Sequence, residues 1–200
     1  MKDILQEIVA TKRAEIDRRK RETDFQALYR KAETPRTTRH SLREALRSSS
    51  TGIISEFKRR SPSKGWINRD ADVQSVVRAY QQAGATALSV LTDTPYFGGT
   101  DDDLRAARQA CSLPILRKDF TIDEFQLVES RVLGADAVLL IAAALTREQC
   151  RRFAEIAHQL ELEVLLEIHD QSELDYYSEY VDVLGVNNRN LGSFHTDVAN

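Results

Sequence analysis

The sequence predicts an α/β fold in which parallel strands alternate with helices and close toward a barrel. Three observations carry this. From Gly52 onward, short apolar runs alternate with amphipathic stretches at helical spacing, and such an alternation demands a mostly parallel sheet covered on both faces. Two helix ends match each other, Ala83-Gly84-Ala85-Thr86-Ala87-Leu88 and Leu133-Gly134-Ala135-Asp136-Ala137-Val138, each placing a glycine C-cap just before a buried strand. The turn after the first strand reads Lys58-Arg59-Arg60-Ser61-Pro62-Ser63-Lys64-Gly65, where an open doubly wound sheet would carry a glycine-rich phosphate turn. A barrel is therefore favoured over an open sheet.

The elements follow in order. Leu5, Ile8, Val9 and Ile16 form one stripe, so residues 3–20 make an amphipathic helix that must cover something apolar, as a lid or a plug. A second helix is expected from about Asp24 to Lys31, and a third from Ser41, where Ser41 and Glu44 have capping-box spacing. The strands are Ile53–Phe57, Ala87–Leu91, Ile115–Lys118, Ala137–Ile141, Val164–Glu167 and Val183–Val186. Between them lie helices over 71–82, 101–111, 123–133, 146–160 and 174–180, the third introduced by Thr121 and Glu124 and the fourth by Thr146 and Gln149. Residues 1–50 thus read as an amino-terminal helical extension and 51–200 as a partial barrel, together one structural domain.

Composition bounds the function. The 200 residues carry a net charge of -3 and 42% hydrophobic content, enough for one sizeable core. No apolar run approaches the roughly 20 residues needed to cross a bilayer, and the charged start lacks a secretory apolar stretch, so a cytoplasmic protein with no membrane partner is expected. Residues 1–50 hold 13 Lys+Arg against 8 Asp+Glu. Because Lys12, Arg13, Glu15, Asp17 and Arg18 interleave at helical spacing, a solvated helix face explains them better than a nucleic-acid surface. RNA binding through Lys58–Lys64 lacks an exposed aromatic platform. Cys111 and Cys150 read as reduced thiols in packing surfaces, and no cysteine or histidine spacing suggests a metal.

The chemistry lies at strand ends. Alternate side chains of a strand share a face, which puts Glu56 with Lys58, Leu116 with Lys118 and Phe120, Leu165 with Glu167, and Gly185 with Asn187, Arg189 and Leu191. One rim then holds two carboxylates, two amines, a guanidinium and an amide, at the end of the sheet where barrels place ligands. Such Lys–Glu sets can serve as general acid and base, while Arg189 and Lys58 can hold anions. An anionic substrate and proton transfers, without redox chemistry, are expected. Phe97 and Phe120 are either packing residues or the walls of a flat apolar pocket.

These strand ends resemble a known family. Ile53-Ile54-Ser55-Glu56-Phe57-Lys58-Arg59-Arg60-Ser61-Pro62-Ser63-Lys64-Gly65 is similar to the first-strand motif of indole-3-glycerol phosphate synthases. Leu91-Thr92-Asp93 with Phe97-Gly98-Gly99, Leu116-Arg117-Lys118-Asp119-Phe120, Ala137–Ile141, Leu166-Glu167-Ile168-His169 and Gly185-Val186-Asn187-Asn188-Arg189-Asn190-Leu191 follow in the family's order. The resemblance implies a (β/α)8 barrel of the TIM type with an extra amino-terminal segment. It also implies ring closure of 1-(2-carboxyphenylamino)-1-deoxyribulose 5-phosphate, with loss of carbon dioxide and water and no cofactor. Lys118 is the implied acid for closure, with Glu167, Lys58 and Glu56 available for dehydration; which lysine serves which step stays open. Lys58 and Ser61 would hold anionic groups, Phe97, Phe120, Leu139 and Leu191 would flank the aromatic portion, and Asn187 and Arg189 would orient the polar centre.

An eight-stranded barrel typically takes about 250 residues, and only six βα units are legible before Asn200. The family's seventh and eighth strand loops supply phosphate-binding amides, so this chain alone is expected to bind substrate poorly and turn it over slowly, with open sheet edges inviting association. The alternative expectation is a non-catalytic barrel fragment that serves as a folding or assembly unit.

Overall fold

The computed structural model describes residues 4–36 and 38–188. Its centre is a curled sheet of six strands, β1 (Ile54–Phe57), β2 (Ala87–Leu91), β3 (Ile115–Lys118), β4 (Ala137–Ile141), β5 (Glu163–Ile168) and β6 (Val183–Val186), ordered as in the chain. Every neighbouring pair is parallel. A doubly wound sheet reverses its order at a switch point. This one does not, and it curls into a half-barrel as expected.

Eight α-helices accompany it among the described residues: α1 (Ile4–Glu22), α2 (Phe25–Ala32), α3 (Leu42–Ser48), α4 (Val73–Gln82), α5 (Thr94–Phe97), α6 (Asp101–Ala110), α7 (Glu124–Leu133) and α8 (Arg147–Gln159). The outer face of the sheet, with Leu88, Val90, Ile115, Val138, Leu140, Val164 and Leu166, packs on Val77, Leu104, Leu127 and Phe153 of α4, α6, α7 and α8. Burying each such side chain stabilises the fold by about 1.5–3 kcal/mol. The inner face has its own apolar cluster, with Ala87, Leu116, Ala137, Leu139 and Leu165 around Leu42 of α3.

The two ends of the half-barrel are covered by different pieces of the amino-terminal segment. At the end where the strands begin, Leu42 is fully buried, and Glu163 accepts hydrogen bonds from Ser41 Oγ at 2.5 Å and the Arg43 amide at 2.9 Å. At the opposite end, α1 lays Leu5 and Ile8 over the strand termini. Of the two roles expected of the first helix, lid or plug, α1 takes the lid's place, and α3 fills the other end.

Local chemistry departs from expectation in a few places. The cap of α7 is Asp123, not Thr121: Asp123 is extended and accepts from the Phe125 amide, while the Gln126 side chain accepts from the Asp123 amide. The expected helix over 174–180 is a 3-10 segment, Gln171–Tyr176, because Asp170 accepts from the Ser172 amide and Glu173 from the His169 amide, bonds that tighten the turn. Between β1 and α4 lies a small antiparallel hairpin, Arg60–Ser61 with Gly65–Trp66. Helix α5 was not expected; Asp93 caps it and Pro95 sits in its first turn. By contrast Thr146 and Gln149 form the full capping box at α8.

Candidate active site

The carboxyl ends of the strands enclose a cavity of about 300 Å³: Leu91, Lys118 and Ile141 end β2, β3 and β4, while Glu56 and Glu167 stand one residue before the ends of β1 and β5. Its polar lining is Glu56 of β1, Lys58, Ser61, Lys118 at the end of β3, Glu167 of β5 and Asn187 just past β6; its apolar lining includes Leu91, Phe97, Phe120 and Ile141. Leu5 and Ile8 of α1 close it from above. A second hollow of about 370 Å³ runs deeper along the inner face, shares Glu56, Lys118, Glu167 and Asn187, and is lined by Leu116, Leu139 and Leu165. The sequence-expected residues Glu56, Lys58, Ser61, Phe97, Lys118, Phe120, Glu167 and Asn187 therefore meet in one space. Leu139 lies in the deeper hollow, and Arg189 and Leu191 fall outside the described residues.

The ionisable groups of the cavity differ in how they are partnered. Lys58 Nζ sits 2.5 Å from Glu56 Oε1, and each side chain is about one-third exposed. Asn187 Nδ2 donates to Glu167 Oε1 at 3.0 Å. Lys118 has no ion pair or side-chain hydrogen bond among the described residues, so its three donors are available to an occupant of the cavity. The rings of Phe97 and Phe120 lie 6.1 Å apart at 37°, a tilted pair that leaves an apolar wall.

Beneath this lining is a buried ion cluster. Lys12 of α1, only 2% exposed, places Nζ 2.9 Å from Glu15, 3.1 Å from Asp93 and 3.0 Å from Asp119. Asp119 Oδ1 also accepts from the Phe120 amide at 2.8 Å, and its Oδ2 accepts from Thr92 Oγ1 at 2.6 Å. Asp93 Oδ1 accepts from the Tyr96 amide at 2.9 Å. One ammonium thus anchors both carboxylates that hold the backbone beside Phe97 and Phe120. Burial alone would lower the Lys12 pKa, but Asp119, Asp93 and Glu15 outweigh it and raise it above the ordinary lysine value. Burial pushes Asp119 up, yet Lys12 and Arg117 hold it below the usual carboxylate range. Asp93 is pushed up, by burial first and by neighbouring Asp119.

The expectation of a solvated face for Lys12 is therefore wrong. The signal was present: residue 12 is four from Ile8 and four from Ile16, so it lies on the buried stripe of α1. The close approach of Gly99 was not expected. A Cβ there would sit 2.0 Å from the Leu91 carbonyl oxygen, so only glycine lets the loop after α5 fold back onto the end of β2.

Larger grooves lie on the outer surface, one of about 640 Å³ among Lys20, Phe25, Phe125, Arg152 and Phe153. Its charged groups are already paired with one another, Lys20 with Asp123 at 2.6 Å and Arg152 with Glu124 at 2.5 Å, and it has no counterpart of Lys118, which is unpaired among the described residues. A parallel half-barrel with acid, base and amide groups gathered at its carboxyl rim is of the barrel-enzyme class.

The indole-3-glycerol phosphate synthase family model matches residues 5–200, and the chain belongs to that family. A relative from Bacteroides thetaiotaomicron named indole-3-glycerol phosphate synthase is 54% identical over 200 residues, covering 100% of this chain and 76% of the relative. One of the same name from Neisseria meningitidis serogroup B is 47% identical over 202 residues, covering 99% of this chain and 78% of the relative. Among solved structures, a variant carboxyl transferase domain of Rhizobium etli pyruvate carboxylase, with pyruvate, matches 77% of this chain and 31% of its own at a TM-score of 0.51 and 14% identity. That likeness is one of fold alone. Among the described residues no helix is long and apolar enough to cross a membrane.

Proposed function

We propose that the cavity under α1 is where 1-(2-carboxyphenylamino)-1-deoxyribulose 5-phosphate closes to indole-3-glycerol phosphate, with Lys118 as the acid of ring closure. The chain is an indole-3-glycerol phosphate synthase, a carboxy-lyase of tryptophan biosynthesis, which favours this reading over a non-catalytic folding or assembly unit. The observation that carries the site assignment is the placement of Lys118, unpaired among the described residues, in one cavity with Glu167 and the Phe97–Phe120 wall.

Closure requires a proton for the ketone oxygen while the aromatic carbon attacks, after which carbon dioxide leaves and the ring hydroxyl departs as water. An ammonium free of competing carboxylates can direct its proton to that oxygen. Glu167, oriented by Asn187 Nδ2, is suited to proton transfer in the dehydration. The Glu56–Lys58 pair supplies a second acid and base, and Lys58 with Ser61 is suited to the substrate's anionic groups. Phe97 and Phe120 give the anthranilate ring an apolar wall.

In this reading residues 1–50 are an extension that lids and plugs the barrel portion 51–200, and the enzyme works in the cytoplasm. The free edges of β1 and β6 among the described strands are where a further strand would pair. Replacing Lys118 by Ala in the enzyme as its gene encodes it, with turnover followed by indole fluorescence, tests the assignment. A rate near that of the unmodified enzyme removes Lys118 from the chemistry.

A further inference from the structure

His169 follows β5 directly and takes no part in the reading above. Its side chain is 17% exposed, and among the described residues neither ring nitrogen has a hydrogen-bond partner although both are shut off from solvent. Buried polar atoms are normally satisfied, and an orphaned pair calls for a reason. The ring lies between two carboxylates. Nε2 is 3.9 Å from Glu167 Oε1, and Nδ1 is 3.5 Å from Glu173 Oε2. Glu173 is itself fixed, since its Oε2 accepts from the His169 amide at 2.7 Å.

A protonated imidazole is the side chain that can donate to two acceptors on opposite sides of one ring. Hydrogen bonds around catalytic groups are often long before substrate binds and tighten afterwards, and a shift of about 1 Å brings Nε2 within bonding range of Glu167. We infer that His169 is a positioning residue for Glu167. Its Nε2 steadies the carboxylate oxygen that Asn187 already holds, and Glu173 steadies His169 from behind through Nδ1. The inference rests on Glu167 acting in proton transfer. It makes Glu167, Asn187, His169 and Glu173 one line from the cavity into the 3-10 segment after β5.

The test is a double-mutant cycle in the gene-encoded enzyme. His169→Leu keeps bulk but removes both nitrogens, and it is expected to lower kcat about ten- to a hundredfold, the effect of a misplaced reacting group, with KM within about twofold. His169→Gln, which retains a donor near Nε2, should recover much of that loss. In a Glu167→Gln background, His169→Leu should cost nothing further, because it acts through the group already removed. Unchanged kcat in His169→Leu, or losses that simply add, overturns the inference. Ring-nitrogen NMR of the enzyme labelled with ¹⁵N-histidine covers a His169→Leu protein that fails to fold: the His169 resonances must move on Glu167→Gln, and fixed resonances overturn the inference. A Glu167→Gln enzyme with normal kcat refutes instead the role given to Glu167, whatever the His169 resonances do.

Discussion

Lys12 and Lys118 flank the same aspartate and have opposite surroundings. Lys12 reaches Asp119 from α1 and is closed in by Asp93 and Glu15 as well; Lys118, next to Asp119 in sequence, turns into the cavity and has no carboxylate partner among the described residues. Both are lysines near acids, and a survey by residue type would treat them alike. The difference is completeness. An ammonium whose donors are all used inside the fold can only hold the fold together, whereas one left open at a cavity wall has donors to give to a ligand. Burial sharpens the contrast, because a charge taken out of water survives only with its partners in place.

The largest effect that tests this comparison is on stability. Lys12→Met strands Asp93 in the interior without a counter-ion, leaves Asp119 only Arg117 at 3.4 Å, and should destabilise the protein by about 3–5 kcal/mol, the range for breaking a buried ion pair from one side. Urea unfolding at pH 7 measures it. A loss below about 1 kcal/mol would make the cluster dispensable and erase the distinction between the two lysines.

Next comes Lys118→Ala. Loss of a general acid should reduce kcat by about two orders of magnitude or more, while stability changes by about 1 kcal/mol or less, as for substitutions outside a core. The two substitutions are thus expected to be mirror images, one visible mainly in unfolding and the other mainly in turnover.

Much of this was readable before any coordinates. Strands β2, β3, β4 and β6 have the bounds expected from their apolar runs; β2 and β4 are buried throughout, and a strand buried on both faces leaves an uninterrupted signal. Parity alone put Glu56, Lys118, Glu167 and Asn187 on one face, and the structure gathers them in one cavity. What stayed hidden depends on the third dimension. Lys12 looked solvated because interleaved charges suggest a polar face, and its partners Asp93 and Asp119 lie 81 and 107 positions along the chain. The place of His169 between Glu167 and Glu173 was hidden because both carboxylates come to its ring only once β5 and the 3-10 segment fold against each other. Helix α5 was missed because a one-turn helix leaves no periodicity to detect.

Alkaline pH separates the lysines more gently. Lys12 has a folded pKa raised above its unfolded value, so its stabilisation is fully present below about pH 10.5 and is lost as the pH climbs beyond that value toward the folded pKa. Asp119 has the opposite sign. Its folded pKa is depressed, so its contribution is present above the ordinary aspartate value of 3.8 and is lost as the pH falls below it. Unfolding free energy should therefore decline above about pH 10.5 in the parent protein. The Lys12 part of that decline should be missing in Lys12→Met, and identical alkaline slopes for the two proteins would contradict it.

The smallest effect is expected at the rim of the same cluster. Glu15 also contacts Lys12, at 2.9 Å, but its side chain is 21% exposed where Asp93 and Asp119 are 1% and 3%. Water and salt screen an acid at such an edge, and Lys12 keeps two buried carboxylates when it is neutralised. Glu15→Gln should accordingly cost about 1 kcal/mol or less by urea unfolding, in the range of partly exposed pairs. If it costs as much as Lys12→Met, the cluster depends equally on all three acids, and the buried pair Asp93 and Asp119 is not the anchor of the segments that carry Phe97 and Phe120.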